Sequence, residues 1–316
     1  MIQSSKRKKR APTGRRKKKS HGKVFTTRFF SFLILFGLLL FSMGAAGYVI
    51  FFRTTVAHGA SQAHNWADIV FEEPYPVIPE LPPDLQPDGA SSLPMVAIII
   101  DDMGYHEKIG SQLLALPINL TFSFLPSAPF TPELEEQAFQ TGRVVLLHLP
   151  MEPKSKEWDP GQGALLTGQD RNQQKALFYQ NLQGVPHAVG MNNHMGSLYT
   201  ENRAVMADLM ELVHAQGMFY VDSFTTAASQ GLAAARAANV PAARRHIFLD
   251  NVHSPDKVCK QLEKLVLSAE KEGWAIGIGH PNEATLSALT TCRGKFLERV
   301  RLVSAQELVM KLNSGK

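Results

Sequence analysis

The stretch AIIIDDMG (residues 97–104) runs three consecutive isoleucines into two adjacent aspartates, Asp101 and Asp102, and then a methionine and a glycine. An unbroken apolar run rich in β-branched residues reads as a strand buried on both faces, the pattern of a parallel sheet covered by helices. Two like charges at the end of such a strand repel each other. Keeping both ionised there costs several kcal/mol unless a cation or a shared proton compensates.

Further short apolar runs follow at intervals: LTFSFL (120–125), VVLLHL (144–149), AVGMN (188–192), MFYVDSF (218–224), HIFLD (246–250), WAIGIG (274–279) and RLVS (301–304). Helical patterns separate them. Thr200 is a candidate N-cap ahead of Val205, Leu209, Leu212 and Val213, with Gly217 past the end. Ser254-Pro255-Asp256 opens another helix, with Val258, Leu262, Leu265, Val266 and Ala269 on one face and Gly273 as the stop. Strand–helix alternation sustained over residues 95–316 predicts an α/β domain, a (β/α) barrel that is closed, distorted or seven-stranded.

Upstream of this domain the text is of three other kinds. Residues 1–53 hold 13 basic residues and no acidic one, which leaves 20 basic against 28 acidic residues in the remainder, a charge of about −8. The domain itself is therefore acidic, and nucleic acid is excluded as its partner. Residues 29–52 form a 24-residue apolar stretch without a charge, long enough to cross a bilayer as one transmembrane helix. The basic tail of residues 1–28 places the N-terminus in the cytoplasm, so the domain is expected in the periplasm or outside, anchored to the cytoplasmic membrane. A cleaved signal peptide is the competing reading of the same stretch. Residues 53–94, dense in proline, read as a tether. Cys259 and Cys292 fall on helices flanking one strand and could pair in an oxidising compartment.

In a barrel of this kind, catalytic residues gather where strands give way to loops at the C-terminal face. Strand one ends in Asp101-Asp102, strand three carries His148, strand four ends in MNNHMGS with Asn193 and His194, and the later strands end in Asp222, Asp250 and His280. Asp250 reads as a cap or loop residue, and Asp222 reads equally well as a cap or a site residue. His106, His187, His214, His246 and His253 fall in helices, turns or mid-segment and read as non-functional. A divalent metal, zinc first among the candidates, resolves the Asp101-Asp102 conflict. Asp102, His148 and His194 form the carboxylate-plus-two-imidazole set of an open catalytic site, and Asp101 is left to take a proton from water.

The ordered motifs AIIIDDMG, LLHLPMEP, GMNNHMGS, YVDSFT and IGIGHP resemble the divergent polysaccharide deacetylase family, related to the metal-dependent polysaccharide deacetylases with their distorted (β/α) barrel. The resemblance implies Asp101 as catalytic base, Asp102 and His148 as metal ligands, and His280 as the group that protonates the leaving amine, with Asp222 orienting it. It implies hydrolysis of N-acetyl groups on a cell-envelope polysaccharide, with peptidoglycan the natural candidate. Two departures stand out. LPMEP, with Glu152, replaces a second motif histidine, so that His194 takes over as ligand, and the arginine expected to hold the base is missing. These departures favour the alternative of a non-catalytic metal-binding barrel that binds envelope glycan or a partner protein. A third reading is a metallohydrolase of an ester, a peptide amide or a phosphate. The long loop 152–170 carries Trp158, a residue suited to stacking on a sugar ring.

Overall fold

A computed structural model describes residues 93–314. The basic tail, the apolar stretch 29–52 and the tether as far as residue 92 lie outside the described residues. No helix among the described residues is long and apolar enough to cross a membrane.

The described chain alternates β1 (Met95–Met103), α1 (Glu107–Leu114), β2 (Thr121–Phe124), α2 (Thr131–Gln140), β3 (Val144–Met151), α3 (Arg171–Gln183), β4 (Gly190–Met195), α4 (Arg203–Ala215), β5 (Phe219–Asp222), α5 (Gly231–Ala237), β6 (Ala242–Arg244), β7 (Ile247–Phe248), α6 (Pro255–Glu272), β8 (Trp274–Gly279), α7 (Glu283–Thr291), α8 (Arg293–Leu297), β9 (Arg301–Val303) and α9 (Ala305–Asn313). The strands pair in the order β6-β5-β4-β3-β2-β1-β8-β7, and β9 lies beside the start of β1. Every ladder is parallel.

Strand parity divides the core in two. Ile98 and Ile100 of β1, Leu147 of β3 and Tyr220 of β5 face the larger cluster, with Leu113, Leu134, Met206 and Leu262 from the helices. Ala97 and Ile99 of β1, Leu146 of β3, Phe219 and Val221 of β5, Ala243 of β6 and Ile276 and Ile278 of β8 form the other cluster, joined by Leu308 and Val309 of α9. Strands from opposite ends of the pairing order share this second cluster, so the sheet is curled round on itself. Among the described residues no ladder joins β6 to β7, and the curl is open along that seam. The helix α9 seals the floor: Ala305 N donates to Thr121 Oγ1 at its start, and Asn313 Nδ2 donates to Ala242 O at its end.

Two local readings change. The cap of α4 is Asn202, whose Oδ1 accepts from Ala204 N and Val205 N, while Thr200 sits in a short 3-10 turn with its hydroxyl on Gly196 O. The strand β6 has no apolar run to announce it. The start of α6 at Pro255 and its left-handed stop at Gly273 (φ 81°) match the sequence pattern.

Cys259 of α6 and Cys292 at the end of α7 are joined in a disulfide, with their Cα atoms 6.1 Å apart and 33 residues apart in sequence. It ties together the helices that precede and follow β8. Closing a loop of that length in the unfolded chain predicts a stabilisation of about 3–4 kcal/mol. The double variant Cys259→Ser, Cys292→Ser should lose that much in a urea denaturation series. A loss below about 1 kcal/mol would mean that native strain or residual unfolded structure cancels the loop term.

Candidate functional site

The inward rows that pack the curled sheet turn polar as they approach the C-terminal ends of the strands. Ala97 and Ile99 lead to Asp101, Leu146 leads to His148, and Ile276 and Ile278 lead to His280. By the same two-residue period, Ser123, Asn192 and Ser223 continue β2, β4 and β5 on that face. The period alone would turn Asp102 outward, opposite to Asp101. Asp102 instead has φ 53°, and the β1–β2 register shifts between Ile100 and Met103. The left-handed residue in this irregularity re-aims the second carboxylate towards the first, and aspartate tolerates that conformation better than most residues. Met195 (φ 50°) and Phe224 (φ 51°) adopt it where β4 and β5 run into their loops.

Asp102 Oδ1 lies 2.9 Å from His194 Nδ1 and 3.1 Å from His148 Nε2, and the two ring nitrogens are 3.2 Å apart. Asp102 Oδ1 is buried and accepts no hydrogen bond. A four-coordinate zinc ion with bonds of roughly 2.0–2.1 Å spaces its ligand atoms about 3.3 Å apart, so this triangle has the size of one face of such a tetrahedron. The residues present therefore fit a divalent ion. Burial works to raise the Asp102 pKa, but His194 and His148 outweigh it and hold the carboxyl well below its ordinary value. Burial likewise opposes protonation of His148, yet Asp101 and Asp102 raise its pKa. The anionic surroundings that hold a proton on His148 are the ones that attract a cation.

Asn192 sits at the centre of the second group. Its Nδ2 donates to both oxygens of Asp101, each at 2.8 Å, and to Ser223 Oγ at 3.2 Å. Its Oδ1 accepts from Ser123 Oγ at 2.5 Å and pairs with His148 Nδ1 at 2.9 Å. Asp101 is 1% exposed, and burial, above all, raises its pKa, with Asp102 adding to the rise against His148, His280 and Asn192. A carboxylate in that condition is a better proton acceptor than one in water.

His280 meets a carboxylate, and that carboxylate belongs to Asp250. The Nδ1 atom lies 2.9 Å from Asp250 Oδ1, and the His280 backbone N–H, Asn282 Nδ2 and Thr285 Oγ1 each donate to Asp250 Oδ2 at 2.7 Å. Burial pulls the His280 pKa down, but Asp250 prevails and lifts it to about 9. Asp250 thus takes the orienting place that the sequence reading gave to Asp222. Strand parity explains the correction: Phe219 and Val221 point inward, so Tyr220 and Asp222 point to the helices. The Asp222 carboxylate accepts from Phe224 N at 2.8 Å and Ser229 Oγ at 2.7 Å and fastens the loop after β5. Parity also separates the two asparagines. Asn193 faces away from Asn192, accepting from Tyr220 OH and Ser223 N.

The loop 152–170 borders this mouth. Glu152 Oε2 accepts from the Thr167 N–H and hydroxyl, which makes Glu152 a staple of the loop. Lys154 pairs with Glu201 at 2.7 Å, and Thr226 Oγ1 donates to that same carboxylate, so the loops after β3, β4 and β5 are cross-linked. The Tyr105 hydroxyl is pushed up in pKa by burial, with the charges of Asp102 and Asp159 adding to it. Trp158, beside Asp159, is half-buried. Arg245, a buried arginine, donates to Ser223 O and Phe224 O and lies 3.6 Å over the Phe248 ring.

The family model for the divergent polysaccharide deacetylases matches residues 98–309. An uncharacterized protein of Escherichia coli, YibQ, is 32% identical over 214 residues, spanning 68% of this chain and 67% of that protein. One from Haemophilus influenzae is 34% identical over 215 residues, spanning 67% of this chain and 76% of its own length. Among solved structures, an uncharacterized protein from Agrobacterium tumefaciens superposes with a TM-score of 0.66 at 20% identity, covering 70% of this chain and 92% of that one. That likeness shows a shared fold.

Proposed function

The chain belongs to the divergent polysaccharide deacetylase family, and from that premise we propose that residues 95–316 are a metal-dependent hydrolase removing N-acetyl groups from a cell-envelope glycan. The observation that carries the reading is the convergence of Asp102, His148 and His194 on one point, with Asp101 alongside. Asp102, His148 and His194 would hold a zinc-type ion, which when bound supplies a Lewis acid for the acyl carbonyl and for water. Asp101 accepts the proton of the attacking water. As the C–N bond breaks, His280 gives its proton to the departing amine, and acetate and a free amino sugar leave. Asp250 keeps His280 charged and aimed.

The alternative of a non-catalytic binding barrel drew on the missing arginine. Asn192 now occupies the place of a group that grips the base, which favours catalysis. The same proposal keeps residues 29–52 as a retained membrane anchor and the domain on the far side of the cytoplasmic membrane. The Cys259–Cys292 bond supports an oxidising compartment.

The test is acetate release from an N-acetylated envelope glycan by the zinc-loaded full chain, followed across pH. Activity requires protonated His280 and so is lost as pH rises through that group's pKa. In Asp250→Asn the stabilising charge is gone while burial remains, so the alkaline limb should move to lower pH. No acetate release at any pH would overturn the hydrolase reading. An unmoved alkaline limb would remove His280 as the acid.

A further inference from the structure

The Asn192 amide is the point at which four other strands meet. It bonds to Asp101 of β1, Ser123 of β2, His148 of β3 and Ser223 just past β5, and it is itself fully buried in β4. Its orientation is determined by these partners. The Ser123 hydroxyl at 2.5 Å and the His148 ring nitrogen at 2.9 Å face one end, and the two Asp101 oxygens at 2.8 Å face the other. A carboxylate wants a donor, and a ring N–H wants an acceptor. Only an arrangement with Oδ1 towards His148 and Nδ2 towards Asp101 satisfies both.

We infer that Asn192 is a positioning residue for both halves of the site: its carbonyl holds the His148 ring by Nδ1, so that Nε2 faces Asp102 and His194, and its amide aims Asp101. The inference deepens the hydrolase reading and rests on it for the metal and the reaction. The imidazole part stands on the hydrogen bond alone. Outer partners of metal-ligating histidines fix the ring in this way, and losing them weakens metal binding or activity by about 10–100-fold.

Two near-isosteric substitutions separate the roles. In Asn192→Asp the acceptor towards His148 and Ser123 is kept, while the donor to Asp101 becomes a like charge. In Asn192→Leu the branched outline is kept, though its methyl groups are bulkier, and both functions are lost. The readings are the direction of the His148 ring in crystal structures of the metal-free chains, zinc affinity by chelator competition, and acetate release. Wild type and Asn192→Asp should keep His148 Nε2 facing Asp102 and His194 and bind zinc within about threefold of each other, with acetate release in Asn192→Asp down by about 10–100-fold. Asn192→Leu should turn the His148 ring out of that direction and bind zinc about 10–100-fold more weakly.

A folded Asn192→Leu variant with the wild-type His148 ring direction and zinc affinity would overturn the inference. So would full acetate release by Asn192→Asp, which remains decisive if the leucine variant does not fold. Should wild type bind no zinc while the direction of its His148 ring depends on Asn192 as described, the metal reading fails and the role towards His148 stands.

Discussion

Asp102→Ala should lower the zinc affinity of the full chain by more than about a hundredfold, because loss of an outer partner alone costs about 10–100-fold and Asp102 is a direct ligand in this reading. It contributes the only negative charge of the ligand set, and the oxygen it presents between the two imidazoles has no hydrogen bond to lose. What remains is a pair of imidazole rings whose nitrogens face each other at 3.2 Å. Competition with a chromophoric chelator measures the change. Affinity within tenfold of wild type would mean that Asp102 is not a ligand and that its left-handed backbone serves some other purpose.

Asp101→Asn should leave zinc bound and reduce acetate release by about 10²–10⁴-fold, the range associated with a positioned general base. The substitution preserves shape but removes the lone-pair basicity, and it sets an amide against the Asn192 amide, where one donor end must now face another. The diagnostic is the combination of retained metal with lost turnover. Unchanged turnover would move the base elsewhere in the mouth. Loss of zinc together with turnover would place Asp101 among the ligands.

Most of the sheet was legible in the sequence because its strands are buried on both sides and therefore appear as apolar runs. The strand β6, Ala242–Arg244, escaped notice since it pairs with β5 alone and offers two alanines and an arginine where other strands offer isoleucine or phenylalanine. Within the site, charge conflict made Asp101 and Asp102 conspicuous, and their strand-end position linked them to His148, His194 and His280. Asn192 carried no such signal. An uncharged amide inside a strand looks like packing, although counting in twos back from His194 puts both residues on one face. The same count along Phe219, Tyr220, Val221 and Asp222 would have turned Asp222 away. Asp250 follows a strand of only two residues, Ile247 and Phe248, which is too short for a period to be read.

The placement of β1 also governs when this domain can exist. The strand that is made first is flanked by β8 and β9, which are made near the end: Met95 to Ile100 pair with Trp274 to Gly279, and Met95 to Ala97 with Arg301 to Val303. At about 5–20 residues per second, the roughly 170 residues between β1 and β8 take on the order of ten to thirty seconds to synthesise. For that interval the isoleucine-rich strand has a bare edge. The Asp-Asp corner has no His280 beside it either, so the polar mouth is a late product of synthesis. A nascent chain interrupted before Trp274 is therefore an aggregation hazard rather than a partly assembled domain.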